Sequence, residues 1–355
     1  MKFVAVASLL PLLGAGCLSL SGSSTGTTGP AGMYVSTDKG ESWVPISAMP
    51  SLEGAKQLSN VSVFRLVQDP QDTKTMYWGS REHGLFYTYD DGKQWQQVTG
   101  PLSSGFVYGV SIHPGDKCTI YATNGQFIYK TTDCSRSWTE LYRESRGDTN
   151  VVSVAINPFP PHQVYVAETN GDVLMSIDLG QSWSIVRRFG VRLVNLIPDP
   201  LQEGVMYLTT RESGLFRSVD AGRTWADLSG ALEPFTKAKE YRSLQLHPNK
   251  PNVLYWISTY GILVSNDGGS SWGSIDLLTP PGSVNIYGFA INPKNDKEMY
   301  YTGTISNRST LYRSIDGGQN WITKKLPSGQ IPTALRVHPD NESWLFLGFT
   351  TPPKQ

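Results

Sequence analysis

The sequence predicts an all-β protein, a single seven-bladed β-propeller whose blades are four-stranded antiparallel sheets. Three observations support this: one motif recurs seven times, two apolar strands separate successive copies, and the two ends of the chain complement each other. The composition agrees, because 35 glycines, 10 tryptophans and 17 tyrosines with only 17% charged residues favour strands joined by tight turns. Self-similarity at a fixed period is typical of repeat architectures.

The recurring motif is Ser/Thr-x-Asp-x-Gly-x-x-Trp, which we call the aspartate turn. Its glycine supplies a turn position with positive φ, and its carboxylate can accept backbone N–H groups inside the turn. Its tryptophan has a large ring to bury. One copy has Ser135 instead of glycine. We therefore expect a structural, metal-free motif, with a calcium site as the alternative. The seven aspartates are Asp38, Asp90, Asp133, Asp178, Asp220, Asp267 and Asp316.

Each interval between aspartate turns supplies two further strands. Strand a is an apolar run that ends in proline, as in 151–158, and strand b follows after a short turn, as in 163–168. A hairpin loop then leads into strand c, the aspartate turn and strand d, which together form one propeller blade. Strand a carries a recurring small residue that lets neighbouring sheets pack closely, and Arg65 is the exception. The small residues are Gly109, Ser153, Ser243, Gly288 and Ala334.

The ends of the chain predict a closed ring. The first aspartate turn, within 33–47, has strands c and d but no preceding a or b, whereas 331–350 supplies a and b alone. Joined, they form a composite blade that leaves no open sheet edge. We therefore assign residues 32–351 to one propeller domain and expect a monomer.

The N-terminus predicts export. Residues 1–17 carry Lys2 and then an apolar run too short to span a bilayer. This segment ends at Cys17 and resembles a bacterial lipobox, although Gly14 stands where that family usually has leucine. The resemblance implies lipidation of Cys17, and an ordinary secretory signal is the alternative. Residues 18–31 form a Ser/Gly/Thr tether that reaches roughly 20 Å. We expect a lipid-anchored protein of the bacterial cell envelope, either periplasmic or on the outer surface.

Charge and motifs exclude several functions. Thirty basic and thirty acidic residues cancel, so no net field recruits nucleic acid or an anionic membrane. Membrane contact is therefore expected through the lipid alone. The five histidines lie in separate repeats, and no zinc spacing, P-loop, dinucleotide motif or nucleophile elbow is present. We expect no metal and no cofactor.

The aspartate turns resemble the Asp box, or bacterial neuraminidase repeat, across residues 32–350. Families with this repeat include sialidases, two-propeller xyloglucanases, sortilin-type receptors and the photosystem II assembly factor. The repeat spacing is most similar to the last three, and a single lipidated propeller resembles the assembly factor in layout. The resemblance implies the fold but not the function, because enzymes and binding proteins share it.

Glycoside hydrolysis is the enzymatic alternative, either sialidase-like or xyloglucanase-like. The segment 64–67 resembles the sialidase Phe-Arg-Ile-Pro sequence without its proline, and Glu240-Tyr241-Arg242 resembles the tyrosine–glutamate nucleophile pair. Xyloglucanases, however, need a cleft between two propellers, and this chain has one. We therefore favour a binding scaffold, with an assembly factor as one form of it, and assign no catalytic residue.

The loops opposite the aspartate turns form the predicted binding face, because variable loops on a rigid scaffold commonly carry function. Their excess of arginine favours a partner with carboxylates, either an acidic protein segment or an acidic glycan. The alternative is that these are solvated loop charges. The candidate binding residues are Arg65, Arg81, Glu82, Arg146, Glu168, Arg192, Arg211, Glu212, Tyr241, Arg242 and Arg308.

Two cysteines remain after Cys17, and both fall in one blade. Cys118 stands just before strand b and Cys134 follows strand c, with the hairpin between them turning near Asn124-Gly125. Antiparallel pairing around that turn places residue 118 opposite residue 132 or 134. This geometry and an oxidising compartment predict a disulfide, with two free buried thiols as the alternative.

Overall fold

The seven sheets predicted from the repeats close into a ring in a computed structural model that describes residues 29–351. Each sheet is antiparallel and four-stranded, with strand a innermost and strand d outermost. Besides the blades, an additional hairpin follows the first aspartate turn, and two short 3-10 helices lie at Gly100–Leu102 and Ser229–Leu232. The prediction of a seven-bladed propeller is confirmed, whereas the hairpin and the helices were not predicted.

The strands are numbered in chain order. The composite blade begins with β1 (Gly32–Ser36) and β2 (Val44–Pro45), and the additional hairpin is β3 (Ala48–Ser51) and β4 (Gly54–Gln57). Blade 1 is β5 (Arg65–Gln68), β6 (Met76–Gly79), β7 (Leu85–Thr88) and β8 (Gln96–Gln97). Blade 2 is β9 (Gly109–His113), β10 (Asp116–Thr123), β11 (Phe127–Thr131) and β12 (Thr139–Arg143). Blade 3 is β13 (Val151–Ile156), β14 (Val164–Glu168), β15 (Asp172–Ser176) and β16 (Ser184–Arg188).

The remaining blades follow the same order. Blade 4 is β17 (Leu193–Pro198), β18 (Met206–Thr210), β19 (Leu215–Ser218) and β20 (Ala226–Asp227). Blade 5 is β21 (Tyr241–Leu246), β22 (Leu254–Ser258), β23 (Ile262–Ser265) and β24 (Gly273–Ser274). Blade 6 is β25 (Asn285–Asn292), β26 (Asn295–Ile305), β27 (Arg308–Ser314) and β28 (Ile322–Lys324). Strands β29 (Ile331–Val337) and β30 (Leu345–Thr350) complete the composite blade, where β30 pairs with β1.

The hydrophobic core lies between the blades. Each cluster combines side chains from two adjacent sheets, as where Met33 and Phe346 of the composite blade pack with Trp78 and Phe86 of blade 1. All four are at most 1% exposed. Because every sheet buries both faces against its neighbours, no blade has a complete core of its own.

The aspartate turns hold strands c and d together through one repeated set of hydrogen bonds. In the first copy the Ser36 hydroxyl donates to Asp38 Oδ1 at 2.7 Å, and Gly40 N–H donates to the Ser36 oxygen at 2.8 Å. The hydroxyl and the N–H of Ser42 also donate to the Asp38 carboxylate, and they lower its pKa to about 2. These bonds satisfy the carboxylate within its own turn, as expected for a structural motif.

The residue before each strand-ending proline makes a second repeated contact. Its side chain accepts the N–H group two residues later, as His113 Nδ1 does from Gly115 at 3.1 Å. Three histidines therefore serve as turn acceptors alongside aspartate and asparagine in sister blades. The seven residues are Asp69, His113, Asn157, Asp199, His247, Asn292 and His338.

A buried carboxylate joins the composite blade to blade 6. Glu298 is 1% exposed and accepts hydrogen bonds from Lys39, Arg313, Tyr300 and Asn292. Burial alone would raise the pKa of Glu298, but these donors lower it to about 2. The carboxylate is therefore charged and fully partnered at this junction.

Candidate functional site

The ring has two faces with different roles. The a–b turns and the aspartate turns occupy one face, which we call the turn face. The b–c loops and the d–a connections occupy the other, which we call the loop face. Hydrogen bonds within the turns occupy much of the turn face, so the loop face is the candidate binding surface.

Arg146 lies on the loop face but is already neutralised. Its guanidinium contacts Glu144 at 2.7 Å, Glu168 at 2.6 Å and Asp172 at 3.0 Å. Glu168 is fully buried, although the sequence placed it on the binding surface. Arg188 Nε lies 3.4 Å from the other carboxylate oxygen of Asp172. The network ties loops of blades 2 and 3 together, and neither Arg146 nor Glu168 is free for a partner.

The two glutamates of this network share one hydroxyl. The Tyr142 hydroxyl lies 3.1 Å from a carboxylate oxygen of Glu144 and 3.0 Å from one of Glu168, so its single proton can be donated to either. Hydrogen bonds from Arg146 lower the pKa of Glu144, whereas desolvation raises the pKa of Glu168. Such divergence can mark an acid/base pair. Both side chains are at most 2% exposed, however, so no substrate reaches them.

Arg192, Arg211 and Tyr241 meet where blades 4 and 5 adjoin on the loop face. Arg211 N–H donates to the Arg192 carbonyl at 2.9 Å, and Tyr241 N–H donates to the Arg211 carbonyl at 3.4 Å. Arg192 and Arg211 line a shallow depression of about 350 Å³ together with Glu212. Both arginines are exposed. The structure thus brings together three residues from separate loops.

Aromatic rings from blades 1 and 2 accompany two arginines of blade 1. The guanidinium groups of Arg65 and Arg81 lie 5.1 and 5.5 Å from the ring centre of Phe64. Phe64 packs edge-on against Phe106 at 4.6 Å, and Phe106 stacks on Tyr108 at 4.0 Å. Cation–π contacts of this kind orient a guanidinium without neutralising its charge.

A β-bulge that was not predicted from the sequence recurs near the loop-face end of strand a, the innermost strand of the blade. Strand a of blades 3 to 6 and of the composite blade shifts register at the same place, leaving one residue outside the ladder. A bulge re-aims the side chain of that residue. The equivalent positions in blades 1 and 2 are Phe64 and Tyr108, and each of the seven residues stands six before the terminal proline. This constant distance from the proline could have identified the seven residues from the sequence. The bulged residues are Val152, Val194, Arg242, Tyr287 and Thr333.

The other candidate residues are dispersed. Glu82 is exposed in the b–c loop of blade 1, and Arg308 lines a separate depression of about 390 Å³ on blade 6. Arg242 lies over the Tyr287 ring at 5.7 Å.

Cys17 and most of the predicted tether lie outside the described residues. Cys118 and Cys134 are joined as a disulfide, with their Cα atoms 4.0 Å apart.

Among residues 29–351, no group of three His, Cys, Asp or Glu side chains could hold a metal ion. No helix within the same residues has the length and apolar character needed to span a membrane.

Comparisons with known proteins agree with the fold. The family described as Sortilin, neurotensin receptor 3, matches residues 31–149. A xyloglucanase from Paenibacillus sp is 25% identical over 266 residues, covering 67% of this chain and 23% of the relative. A probable oligoxyloglucan-reducing end-specific xyloglucanase from Neosartorya fischeri is 25% identical over 348 residues, covering 89% of this chain and 39% of the relative. The chain therefore spans well under half the length of these enzymes.

Comparison with solved structures also agrees with the fold. The GH74 xyloglucanase from Xanthomonas campestris aligns with a TM-score of 0.62 at 16% identity, covering 82% of this chain and 51% of the enzyme. YCF48 from Cyanidioschyzon merolae aligns with a TM-score of 0.62 at 12% identity, covering 82% of this chain and 96% of YCF48. The chain resembles β-propeller proteins. YCF48 bound to D1 peptide aligns with a TM-score of 0.58 at 18% identity, covering 83% and 94%. At these identities the likeness concerns the fold alone.

Proposed function

We propose that the chain is a binding scaffold whose loop face recognises a carboxylate-bearing partner in the cell envelope. The observation that carries this proposal is a set of exposed arginines without internal counter-ions. Arg81, Arg192 and Arg242 form no ion pair with any described carboxylate, and Arg211 contacts only the adjacent Glu212, at 3.9 Å. Such guanidinium groups are available for bidentate, charge-assisted hydrogen bonds to carboxylates.

The shape of the molecule supports binding by one ring. The YCF48 structure that contains a D1 peptide is matched over 94% of its length, so a propeller of similar extent holds a peptide ligand. By contrast, the xyloglucanases are matched over a minor part of their sequences. Binding of a partner by a single ring therefore requires no second propeller.

Lipidation of Cys17 is part of this proposal. The chain enters the ring on the loop face, where Gln330 Nε2 donates to the Gly29 carbonyl at 2.9 Å and Ser328 donates to the Pro30 carbonyl at 2.6 Å. A lipid on Cys17 would therefore tether the protein from the side that carries the arginines. We expect labelled palmitate to enter the wild type and not a Cys17→Ala variant. Equal labelling would exclude Cys17 as the acceptor.

Capture experiments test the binding face. The wild type, a quadruple variant with Arg81, Arg192, Arg211 and Arg242 changed to Glu, and a control with turn-face residue Arg136 changed to Glu are incubated with an envelope fraction. We expect the wild type and the control to retain the same partner, and the quadruple variant to lose it. Identical capture by all three proteins would refute the proposed face.

Glycoside hydrolysis is the second candidate, and the names of the sequence relatives support it more than they support the scaffold. Both reported sequence relatives are xyloglucanases. The rings of Phe64, Phe106 and Tyr108 could also present apolar faces to sugars. Most glycoside hydrolases, xyloglucanases among them, however, use two accessible carboxyl groups separated by roughly 5 to 10 Å. The glutamates with the most divergent pKa values, Glu144 and Glu168, are buried against Arg146.

Activity assays separate the two candidates. We expect purified protein to release no reducing sugar from xyloglucan, other β-glucans or sialosides. Turnover that survives purification and is abolished by substitution of one Glu, Asp or Tyr would establish the hydrolase. Binding of uncharged xyloglucan without turnover would instead identify a glycan-binding propeller and would overturn the requirement for a carboxylate.

A further inference from the structure

Three buried polar atoms lie together on the turn face, at the junction between blades 1 and 2. Asp69 Oδ2 and the hydroxyl oxygens of Tyr77 and Ser135 form no hydrogen bond within residues 29–351, and the three residues are at most 2% exposed. Burial raises the pKa of Tyr77, the charge of Asp69 adds to that rise, and Ser135 is near enough to oppose it. The next junction shows the same proximity, because a Cβ at Gly180 would lie 3.4 Å from the Tyr121 ring. Unpaired polar atoms in the interior of a protein indicate a bound species that partners them.

In blades 3 and 6 a single side chain bridges the equivalent groups. Gln163 Oε1 accepts the Asn157 amide at 3.0 Å and lies 3.1 Å from the Tyr165 hydroxyl. In blade 6 the Glu298 carboxylate contacts the corresponding asparagine and tyrosine. One atom or small group therefore fits between the residue before the strand-ending proline and the tyrosine of strand b.

Blade 1 has no such bridge. The shorter Thr75 stands in place of Gln163 and donates within its own turn. Asp69 Oδ1 accepts the Gln71 N–H at 2.8 Å, the same turn contact that Asn157 makes in blade 3. Because this contact orients the carboxylate, Oδ2 faces the bridge position as the Asn157 amide nitrogen does in blade 3.

The Tyr77 hydroxyl also lacks the acceptor that its sister residues have. In the next blade, Tyr121 donates to the Leu179 carbonyl at 2.8 Å. The equivalent carbonyl for Tyr77 belongs to Cys134, and it accepts the Tyr89 hydroxyl at 3.2 Å instead. The hydroxyl oxygen of Tyr77 is therefore available to a ligand.

Asp69 carries an uncompensated charge. No Lys, Arg or His of the described chain lies within ion-pair distance of its carboxylate, and Lys117 pairs with Asp72 at 3.9 Å instead. Burial raises the pKa of Asp69, since desolvation disfavours the charged form. Because buried carboxylates are normally paired, this junction offers a site for a positive charge.

Blade 4 supplies that charge from its own strand c. It has Asp199 at the same position, and Arg217 stands opposite Tyr207 with Cζ 5.9 Å from the ring centre. In blade 1 the residue opposite Tyr77 is the uncharged Tyr87. Blade 1 therefore keeps the aspartate of this junction without the cation.

We propose that Asp69, Tyr77 and Ser135 bind one monovalent metal cation, Na⁺ or K⁺, between blades 1 and 2. Oxygen ligands suit hard cations, and a single carboxylate balances a single positive charge, whereas tight Ca²⁺ binding depends on several charged ligands. The ion takes the bridge position that Gln163 fills in blade 3 and supplies the charge that Arg217 supplies in blade 4. It ties strands a and b of blade 1 to the aspartate turn of blade 2, and it is independent of the partner proposed for the loop face.

Thermal unfolding in three chloride salts of equal ionic strength tests the site. At about tenfold the dissociation constant, sodium or potassium chloride is expected to raise the Tm of the wild type by about 2 °C relative to tetramethylammonium chloride. The shift should saturate with cation concentration, as binding to one site requires. Equal Tm values in all three salts would show that a water molecule or a proton on Asp69 partners these atoms, and would overturn the proposal.

Removal of the carboxylate locates the ion. Asparagine at residue 69 should preserve the turn, because Asn157 and Asn292 make the same contact in sister blades. We therefore expect Asp69→Asn to fold and to lose the cation-dependent shift. The matched control is Asp199→Asn, at the equivalent position of the blade that contains Arg217, and it should retain the full shift. A full shift in Asp69→Asn would refute the site.

A charge supplied by the protein should replace the ion. Tyr87→Arg copies the arrangement of Arg217 opposite Tyr207, so we expect a higher Tm in tetramethylammonium chloride and no response to Na⁺ or K⁺. Should this variant not fold, Tyr87→Lys copies Lys130, which stands at the same position in blade 2. A folded variant that responds to the cations as the wild type does would contradict the proposal.

Two further measurements identify the ion and its hydroxyl ligand. A larger shift with K⁺ than with Na⁺, or the reverse, names the ion, and either result supports the site. Calcium chloride that raises the Tm at a lower concentration than both monovalent salts would overturn the monovalent assignment. Ser135→Gly removes one oxygen, so we expect a smaller shift relative to its own Tm in tetramethylammonium chloride. An undiminished shift in this variant would overturn the assignment of Ser135 as a ligand.

Discussion

His338 Nε2 lies 3.1 Å from Asp91 Oδ1, which joins the composite blade to the aspartate turn of blade 1. The other ring nitrogen, Nδ1, accepts the N–H groups of Asp340 and Asn341 at 3.0 and 3.1 Å. The proton of a neutral ring must therefore be on Nε2, where it is donated to Asp91. His338 is 2% exposed, so this contact is part of the interior of the ring closure.

Removing this contact tests the closure. We expect His338→Ala to lower the free energy of unfolding by about 2–3 kcal/mol, because it leaves a buried acceptor and two N–H groups unpaired. The matched control is His162→Ala, which changes an exposed histidine in the a–b turn of blade 3. Chemical denaturation of the two variants measures the difference. Equal, small losses would show that the contact contributes nothing to closure.

Deletion of residues 331–355 tests the same closure on a larger scale. Leu345, Leu347 and Phe349 are fully buried against blade 6 and β1, and Phe346 is fully buried against blade 1. Since both neighbours would lose a packed sheet, we expect loss of cooperative unfolding for the whole ring, measured by calorimetry. Deletion of residues 352–355 alone is the control. A wild-type Tm in the longer deletion would contradict a closed ring.

Two further turn histidines predict a pH dependence. Burial lowers the pKa of His113 and His247, so the folded protein favours the neutral ring that accepts an N–H group at Nδ1. The contribution of this pKa difference to the free energy of unfolding is fully present above the ordinary histidine pKa of about 6.5. It is lost as the pH falls from that value through the lower pKa values of the two histidines in the folded protein. We expect the Tm to fall between neutral and mildly acidic pH.

The sister blades offer the control for this effect. Asn157 and Asn292 make the same turn without a titrating group. The double variant His113→Asn/His247→Asn should therefore keep its turns and show a flatter Tm–pH profile. A slope as steep as that of the wild type would exclude these histidines as its source.

Ser135 predicts a stabilising substitution. Its φ is +68°, in the region where other aspartate turns place glycine, so the side chain is held in a strained backbone conformation. We expect Ser135→Gly to raise the free energy of unfolding by about 1 kcal/mol. The reverse change, Gly180→Ser in blade 3, should destabilise, because a Cβ there would lie 2.6 Å from Leu141 Cδ1. A destabilised Ser135→Gly would contradict this account of the turn.

The disulfide between Cys118 and Cys134 predicts a redox-dependent stability. The bond closes a loop with a sequence separation of 16 residues, for which chain entropy predicts about 3 kcal/mol. We expect no reaction of these cysteines with a thiol reagent in unreduced, denatured protein, and a lower Tm after reduction. A Cys118→Ser/Cys134→Ser variant should match the reduced protein. Complete labelling without reductant would exclude the bridge.

The ring follows from the sequence because its determinants are local and repeated. Positions such as Asp38 and Gly40 encode a turn within a few residues, and the apolar strand ending at each proline recurs in every repeat. Such patterns predict strand number, order and closure. The β3–β4 hairpin escaped prediction because it interrupts the repeat once and has no counterpart in the other blades.

The site depended on tertiary structure, because the sequence does not reveal which charges are paired. Arg146 and Arg211 look alike as loop arginines, yet contacts from separate segments neutralise the first and leave the second exposed. Arg336 lies within an apolar strand and was not a candidate, but ring closure brings its Nε–H to the Leu66 carbonyl on the inner strand of blade 1. Charge compensation and solvent access are set by groups far apart in the chain, so only the assembled propeller determined them.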